Sequence, residues 1–99
     1  MARFQFYPAP GSPGYLLDVQ ADLLDGLNTR VVVPLMPVAR APRPAAILNP
    51  VFDILQQPHV MVTQFLSAVP ASLLRQPAGS LSPRSAHIIR ALDFLYQGF

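Results

Sequence analysis

The side chains of this sequence that could do nucleophilic or acid–base chemistry are few. His87 follows Ser82 and Ser85 at a spacing that a helix could bring together. Neither serine lies in a Gly-x-Ser-x-Gly turn, and no loop is recognisable that would donate N–H groups to an oxyanion. His59 follows Pro58 in a predicted turn. We interpret both histidines as partly exposed polar residues.

The carboxylates and glycines do not form a recognisable site either. Asp18, Asp22 and Asp25 are close in sequence, but Asp22 and Asp25 lie in a turn-rich stretch where such residues usually make local hydrogen bonds. The sequence has no cysteine and no His-x-x-x-His pair, which excludes the common metal-ligand patterns. Its five glycines form no phosphate-binding loop. We therefore predict a protein that is not an enzyme, with no metal and no cofactor.

Composition favours one compact domain over residues 1–99 with apolar surface to spare. Of the residues, 52% are hydrophobic and only 12% are charged, so we expect a homodimer that covers part of the excess. The seven arginines are scattered and there is no lysine. A nucleic-acid footprint needs clustered positive charge, so we expect no direct nucleic-acid binding.

Targeting signals are not recognisable in the sequence. The first seven residues contain one arginine and are followed by proline and glycine, which is not the pattern of a signal peptide. The longest apolar runs are far shorter than a membrane span. We expect a cytoplasmic protein with no membrane partner.

The elements that would position any functional group are mostly strands. Alternating or β-branched stretches predict strands over residues 4–7, 15–19 and 29–35. A second hairpin is predicted from residues 51–55 and 60–66 across a turn at 56–59. Residues 36–40 are read as a short strand and residues 72–74 as a short edge. The stretch 20–26 is ambiguous, because its aspartates favour a turn while its leucines favour contacts.

A helix is predicted at the C-terminal end of the sequence. Ser82 is a suitable N-cap and Pro83 a suitable first helical residue. A core-facing stripe at spacings of 0, 3, 4 and 7 follows, made of Ile88, Ala91, Leu92 and Leu95. Gly98 ends the helix. Together, the predicted strands and helix indicate a mostly antiparallel β-domain with one C-terminal helix.

The segment from Ala91 to Phe99 is unusually apolar for a chain end, since terminal residues are commonly polar and mobile. Phe94, Leu95, Tyr96 and Phe99 crowd it. Two interpretations stay open at this point. The aromatic end packs onto the barrel, or it forms a docking surface for another protein.

Several strings in this sequence together resemble the CcdB family of bacterial toxins. The more specific ones are Asp-Val-Gln-x-Asp, which begins at Asp18, and Val-x-x-Pro-Leu, which begins at Val31. Weaker ones lie at residues 4–7, 61–63, 68–70 and 91–99, and the order of all of them is kept along the chain. The resemblance covers nearly the whole sequence.

The resemblance implies an SH3-like antiparallel β-barrel with one C-terminal α-helix, mainly β (α+β) in class, that forms a homodimer. It implies the toxin of a type II toxin–antitoxin system. Such a toxin binds the DNA gyrase A subunit, traps the gyrase–DNA cleavage complex and is neutralised by its cognate antitoxin. Carried over by position, the implied gyrase-binding residues are Gln97, Gly98, Phe99, Asp93, Ala21, Leu23 and Leu24. The family typically ends in Trp-Gly-Ile, so Gln97 stands where a large aromatic is usual.

Two other functions are compatible with a related fold. The first is a MazF-like endoribonuclease toxin, for which Arg30 beside Thr29 is the best candidate pair. Scattered arginines make a groove for single-stranded RNA difficult to build. The second is a detoxified relative that is retained as an antitoxin-binding dimer.

Overall fold

Seven strands and one helix build the protein, as seen in a computed structural model that describes residues 2–99. The strands are β1 (Gln5–Pro8), β2 (Tyr15–Asp18), β3 (Thr29–Pro37), β4 (Val51–Ile54), β5 (Gln57–Met61), β6 (Ser67–Pro70) and β7 (Gly79–Ser80). The helix α1 spans Ser85–Gln97. Short 3-10 turns connect these elements at Asp22–Leu24, Val38–Arg40, Thr63–Phe65, Ala71–Leu73 and Ser82–Arg84.

Strand β3 is the hub of an antiparallel sheet. It is long enough to pair with β6 along its first half, with β5 along its second half and with β2 on its other side. The order β4-β5-β3-β2-β1-β7 therefore curls, with β6 branching off β3. This half-barrel with a single C-terminal helix confirms the predicted SH3-like α+β fold.

The helix closes the open side of the sheet with the stripe that its spacing predicts. Ile88, Ala91 and Leu92 are buried and join the main core, while Leu95 is only half-buried. The sheet contributes the remaining core residues, which are mainly Phe6, Leu17, Val33, Leu35, Phe52, Ile54 and Met61. Burying one large apolar side chain contributes about 1.5–3 kcal/mol, so this stripe is what fixes the helix to the barrel.

The start of the helix is a few residues later than predicted. Ser82 and Pro83 lie in a 3-10 turn, and α1 itself begins at Ser85. Ser82 makes no capping bond to the helix, since its hydroxyl accepts a hydrogen bond from Ser80 instead, at 3.2 Å. The left-handed Gly98 (φ 79°) ends the helix as expected, and its N–H donates to the carbonyl of Phe94.

Three further predictions about the strands were wrong. Strand β3 runs on through Pro37, and the residues Val38–Arg40 form a 3-10 turn. The chain at Ala71–Leu73 is also a 3-10 turn, where a short edge strand was predicted. Strand β5 begins at Gln57 and ends at Met61, because the next residues turn away so that the Thr63 hydroxyl can bond the carbonyl of Leu48.

The tight turn of the second hairpin is at Leu55–Gln56, within a pairing of Ile54 with Gln57. Both turn residues have positive φ, 51° and 71°, as a two-residue type I′ connection requires. Asn and Gly are the usual residues there, which is why the sequence did not signal the turn. Pro58 is tolerated in β5 because it pairs only with β4, before the pairing with β3 begins at His59.

No helix among residues 2–99 has the length and apolarity needed to cross a membrane.

Replacing Leu55-Gln56 with Asn-Gly tests the strain in this turn. We expect the free energy of unfolding in urea to rise by about 1 kcal/mol, because left-handed backbone is unfavourable for ordinary side chains. As a control, Ala39→Gly is made in the 3-10 turn at Val38–Arg40, where φ is not positive. We expect that variant to lose stability, since a glycine there only adds freedom to the unfolded chain. A loss in both variants would contradict the assignment of strain.

Candidate functional site

The residues that the family resemblance pointed to come from two segments, the loop between β2 and β3 and the chain from Asp93 onward, and α1 and the loop face each other. A groove of about 460 Å³ runs between them. Three of the seven predicted residues line it: Ala21 and Leu24 from the loop, and Asp93 from the helix. The helix and the loop therefore share one surface, although about seventy residues separate them in sequence.

The other four predicted residues lie outside the lining of that groove. Leu23, in the same 3-10 turn as Leu24, is 93% exposed. Gln97 and Gly98 are exposed at the helix end, and Phe99 is 84% exposed. The Phe99 ring is thus not packed onto the barrel, whereas Phe94 and Leu95 are half-buried. Of the two interpretations of the aromatic end, packing fits Phe94 and Leu95 but does not fit Phe99.

Tyr96 is a groove residue that the predicted site omitted. It lines the groove together with Asp93, one helical turn earlier, and it is 68% exposed. The spacing of three residues on a helix places the two side chains on one face, and this was the signal available in the sequence. The surface therefore has an aromatic ring at Tyr96, next to the position where Gln97 replaces the family's aromatic.

The loop that forms the other wall is held by a buried ion pair at its base. Arg30, in β3, has no exposed surface, and its Nη2 donates to Asp18 Oδ2 at 2.6 Å. Its Nη1 donates to Asp25 Oδ1 at 3.0 Å, and Asp25 lies in the loop. Every residue from 21 to 29 is exposed, so the loop has no buried apolar residue of its own and this guanidinium provides a buried polar attachment.

Further hydrogen bonds fix the same loop. The side chain of Gln20 accepts from the N–H of Val31 at 2.9 Å and donates to the carbonyl of Leu24 at 3.1 Å. The carboxylate of Asp22 accepts from the N–H of Arg3 at 2.9 Å. The prediction that Asp22 and Asp25 make local hydrogen bonds is confirmed for Asp25, whose N–H donates to the carbonyl of Asp22 at 3.1 Å and whose carboxylate binds Arg30 five residues on. It was incomplete for Asp22, whose carboxylate reaches Arg3. Their polar contacts hold Leu23 and Leu24 outward.

Burial raises the pKa of Asp18, and the hydrogen bonds from Arg30 and from the N–H of Gln20 act in the opposite direction. The carboxylate is completely enclosed, which is why desolvation is the largest influence. Its forked contact with Arg30 compensates for the lost hydration. The site is consequently a structural charge cluster whose only exposed member is Asp25.

The environment of Arg30 also bears on the ribonuclease hypothesis. That hypothesis needs Arg30 to reach an RNA phosphate beside Thr29. Thr29 is exposed, but Nε and Nη2 of Arg30 donate to the buried carboxylate of Asp18 and Nη1 donates to the carboxylate of Asp25. This arginine is buried and already paired, so it is not accessible to an RNA phosphate.

The two histidines differ from each other in setting. His59 is 3% exposed, so the prediction of a partly exposed residue was wrong for it. Its Nδ1 lies 2.9 Å from the carbonyl of Gln57 and its ring is tilted against that of Tyr15. His87 is exposed on α1, as predicted. Within the described part of the chain, no three His, Cys, Asp or Glu side chains cluster as metal ligands do.

The fold is that of a small SH3-like α+β protein, and a groove lies between its helix and the loop that joins β2 and β3. The model of the CcdB protein family matches residues 3–98, nearly the whole chain. The chain therefore belongs to the CcdB family, which are toxins of toxin–antitoxin pairs. None of the curated proteins compared with it matches.

Two substitutions measure separately how much the buried Arg30–Asp18 contact and the exposed Arg30–Asp25 contact stabilise the protein. Asp18→Asn leaves a buried guanidinium without its main countercharge, and we expect a loss of about 3 kcal/mol in the free energy of unfolding. Asp25→Ala removes a partner that is 58% exposed, and the expected loss is below about 1 kcal/mol. Asp53→Ala, at an exposed residue of β4, serves as the control in the same urea titrations. Equal losses at Asp18 and Asp25 would contradict the structural role of the buried contact.

Proposed function

We propose that this toxin binds the DNA gyrase A subunit through the helix end and the adjoining loop, and traps the gyrase–DNA cleavage complex. The interacting residues would be Gln97, Gly98, Phe99, Asp93, Ala21, Leu23 and Leu24, with Tyr96 added from the groove. Its cognate antitoxin would neutralise it. Residues 1–99 would act as one toxin domain in the bacterial cytoplasm, where gyrase is found.

The observation that carries this proposal is the groove between the loop and the helix, whose walls carry the exposed apolar side chains of Leu24, Leu27 and Tyr96. Leu23 and Phe99, near these walls in sequence, are 93% and 84% exposed. Water penalises such groups, and clustered exposed apolar residues usually mark a protein-binding surface. A surface of this kind binds by burial and needs no catalytic group.

A homodimer fits the same proposal. A two-fold dimer presents two identical surfaces related by its axis. Two copies of the helix end could then engage a symmetric partner such as the gyrase A dimer at the same time.

The terminal residues are the sharpest test of the proposal. Deletion of residues 97–99 should abolish gyrase inhibition in supercoiling and cleavage-complex assays, because it removes the Phe99 ring from the contact. The free energy of unfolding should change by less than about 1 kcal/mol, since these residues are exposed. Binding of the antitoxin is expected to persist. A truncated protein that still poisons gyrase would show that the site lies elsewhere.

Gln97→Trp tests whether a missing ring limits potency. Interface anchors are commonly Trp, Tyr or Arg and contribute 2 kcal/mol or more, so half-maximal inhibition should need about 30-fold less protein. Gln76→Trp adds the same ring at another exposed glutamine, in the loop before β7, and should leave inhibition unchanged. If neither Gln97→Trp nor the wild type inhibits gyrase while both bind antitoxin, the chain is a detoxified relative. Equal gains in the two variants would indicate nonspecific apolar binding.

A further inference from the structure

A second groove, of about 290 Å³, lies beside the beginning of α1 and is lined by two arginines, one histidine and three apolar residues. Arg84, His87 and Arg90 form one wall, at successive spacings of three residues. Residues 47–51 contribute the other wall, through Ile47, Pro50 and Val51. Among residues 2–99, no carboxylate lines this groove, and neither of its arginines takes part in an ion pair.

Arg84 lies where the helix disfavours a cation. The first turn of α1 contains no acidic residue, and Arg84 directly precedes it. A helix N-terminus carries partial positive charge within its first turn, so helix stability does not account for Arg84. Arg90 lies beyond that turn and adds a second guanidinium to the same wall of the groove.

The walls of the groove are fixed before any ligand arrives. The guanidinium of Arg84 lies over the buried ring of Phe52, 5.5 Å from its centroid. On the other wall, the buried Asn49 donates to the carbonyl of Met61 at 3.1 Å and to the side chain of Gln64 at 2.8 Å. Ile47 is held at a φ of 71°, a conformation that β-branched residues rarely adopt. Preformed walls reduce the entropy that a ligand must overcome.

We propose that this groove binds an acidic peptide segment of a protein partner, in which carboxylates alternate with apolar side chains. Arginine forms strong paired hydrogen bonds with carboxylates, which accounts for one wall. Ile47 and Val51 are 40% and 45% exposed and would be covered by the apolar side chains of the same segment. This binding site is separate from the gyrase-facing surface and does not depend on the gyrase proposal.

A peptide fits the groove better than a nucleic acid or a small anion does. Single-stranded nucleic acid is usually bound by a long basic track with aromatic rings for base stacking, and no aromatic side chain lines this groove. Small anions are commonly held by converging backbone N–H groups, whereas this groove is half apolar and lined by side chains. An extended peptide can place carboxylates against the basic wall and apolar side chains against the other wall.

The test is a titration of the ¹⁵N-labelled full chain with a capped ten-residue peptide of alternating Glu and Leu, followed by NMR. We expect saturable shifts confined to residues 47–51 and 84–90. The same peptide with Gln in place of Glu should bind at least about fivefold more weakly, the factor expected from one lost exposed charge pair. Added salt should weaken the Glu peptide and leave the Gln peptide little changed.

Two charge-reversal variants, one inside and one outside the groove, test whether the peptide binds in the groove. Arg90→Glu should weaken the Glu-Leu peptide by about tenfold or more, whereas Arg75→Glu, with the same change in net charge at an exposed loop residue, should not. Arg90 is exposed, so its variant is expected to stay folded, and thermal unfolding checks this. Shifts outside the groove, equal losses in both variants or no saturable binding would overturn the proposal. Tighter binding of a single-stranded oligonucleotide at the same residues would also overturn it.

Discussion

The contact of Arg30 with Asp18 and Asp25 is the constraint on which the shape of the loop between β2 and β3 depends. It joins β2, β3 and the exposed loop through one guanidinium that has no exposed surface. Burying a charge costs several kcal/mol, and only close, well-directed partners offset that cost. In return, a loop with no buried residue of its own keeps a defined shape. We infer that the pair is present for the geometry of the loop more than for overall stability.

The helix α1 contacts the core with one face and contributes side chains to both grooves. The face with Ile88, Ala91 and Leu92 is buried in the barrel. The C-terminal half presents Asp93 and Tyr96 to the groove beside the loop, and the N-terminal half presents Arg90 with its neighbours to the basic groove. The same core packing thus holds two surfaces of different chemistry in fixed relation, and a partner at one need not block the other.

The sequence predicts the parts of this fold that repeat regularly, and it misses those that depend on a distant contact. The helix stripe and strand β3 follow from periodicity. The burial of Arg30 does not, because an arginine in a strand is normally exposed and its partners lie in other elements. His59 was misread for a related reason. Its turn was placed by Pro58, while the actual turn uses Leu55 and Gln56 in a conformation that their residue types do not signal. At the site, the family resemblance supplied the residues, and only the structure could bring Ala21 and Leu24 beside Asp93.

We propose that the loop and the helix end form one surface for one partner. An NMR titration of the labelled toxin with the unlabelled dimerisation domain of the gyrase A subunit tests this. We expect the amide signals of residues 21–27 and 93–99 to shift or broaden together, with the same concentration dependence. Binding that perturbs only one of the two segments, or that perturbs strands β4 and β5 instead, would contradict it.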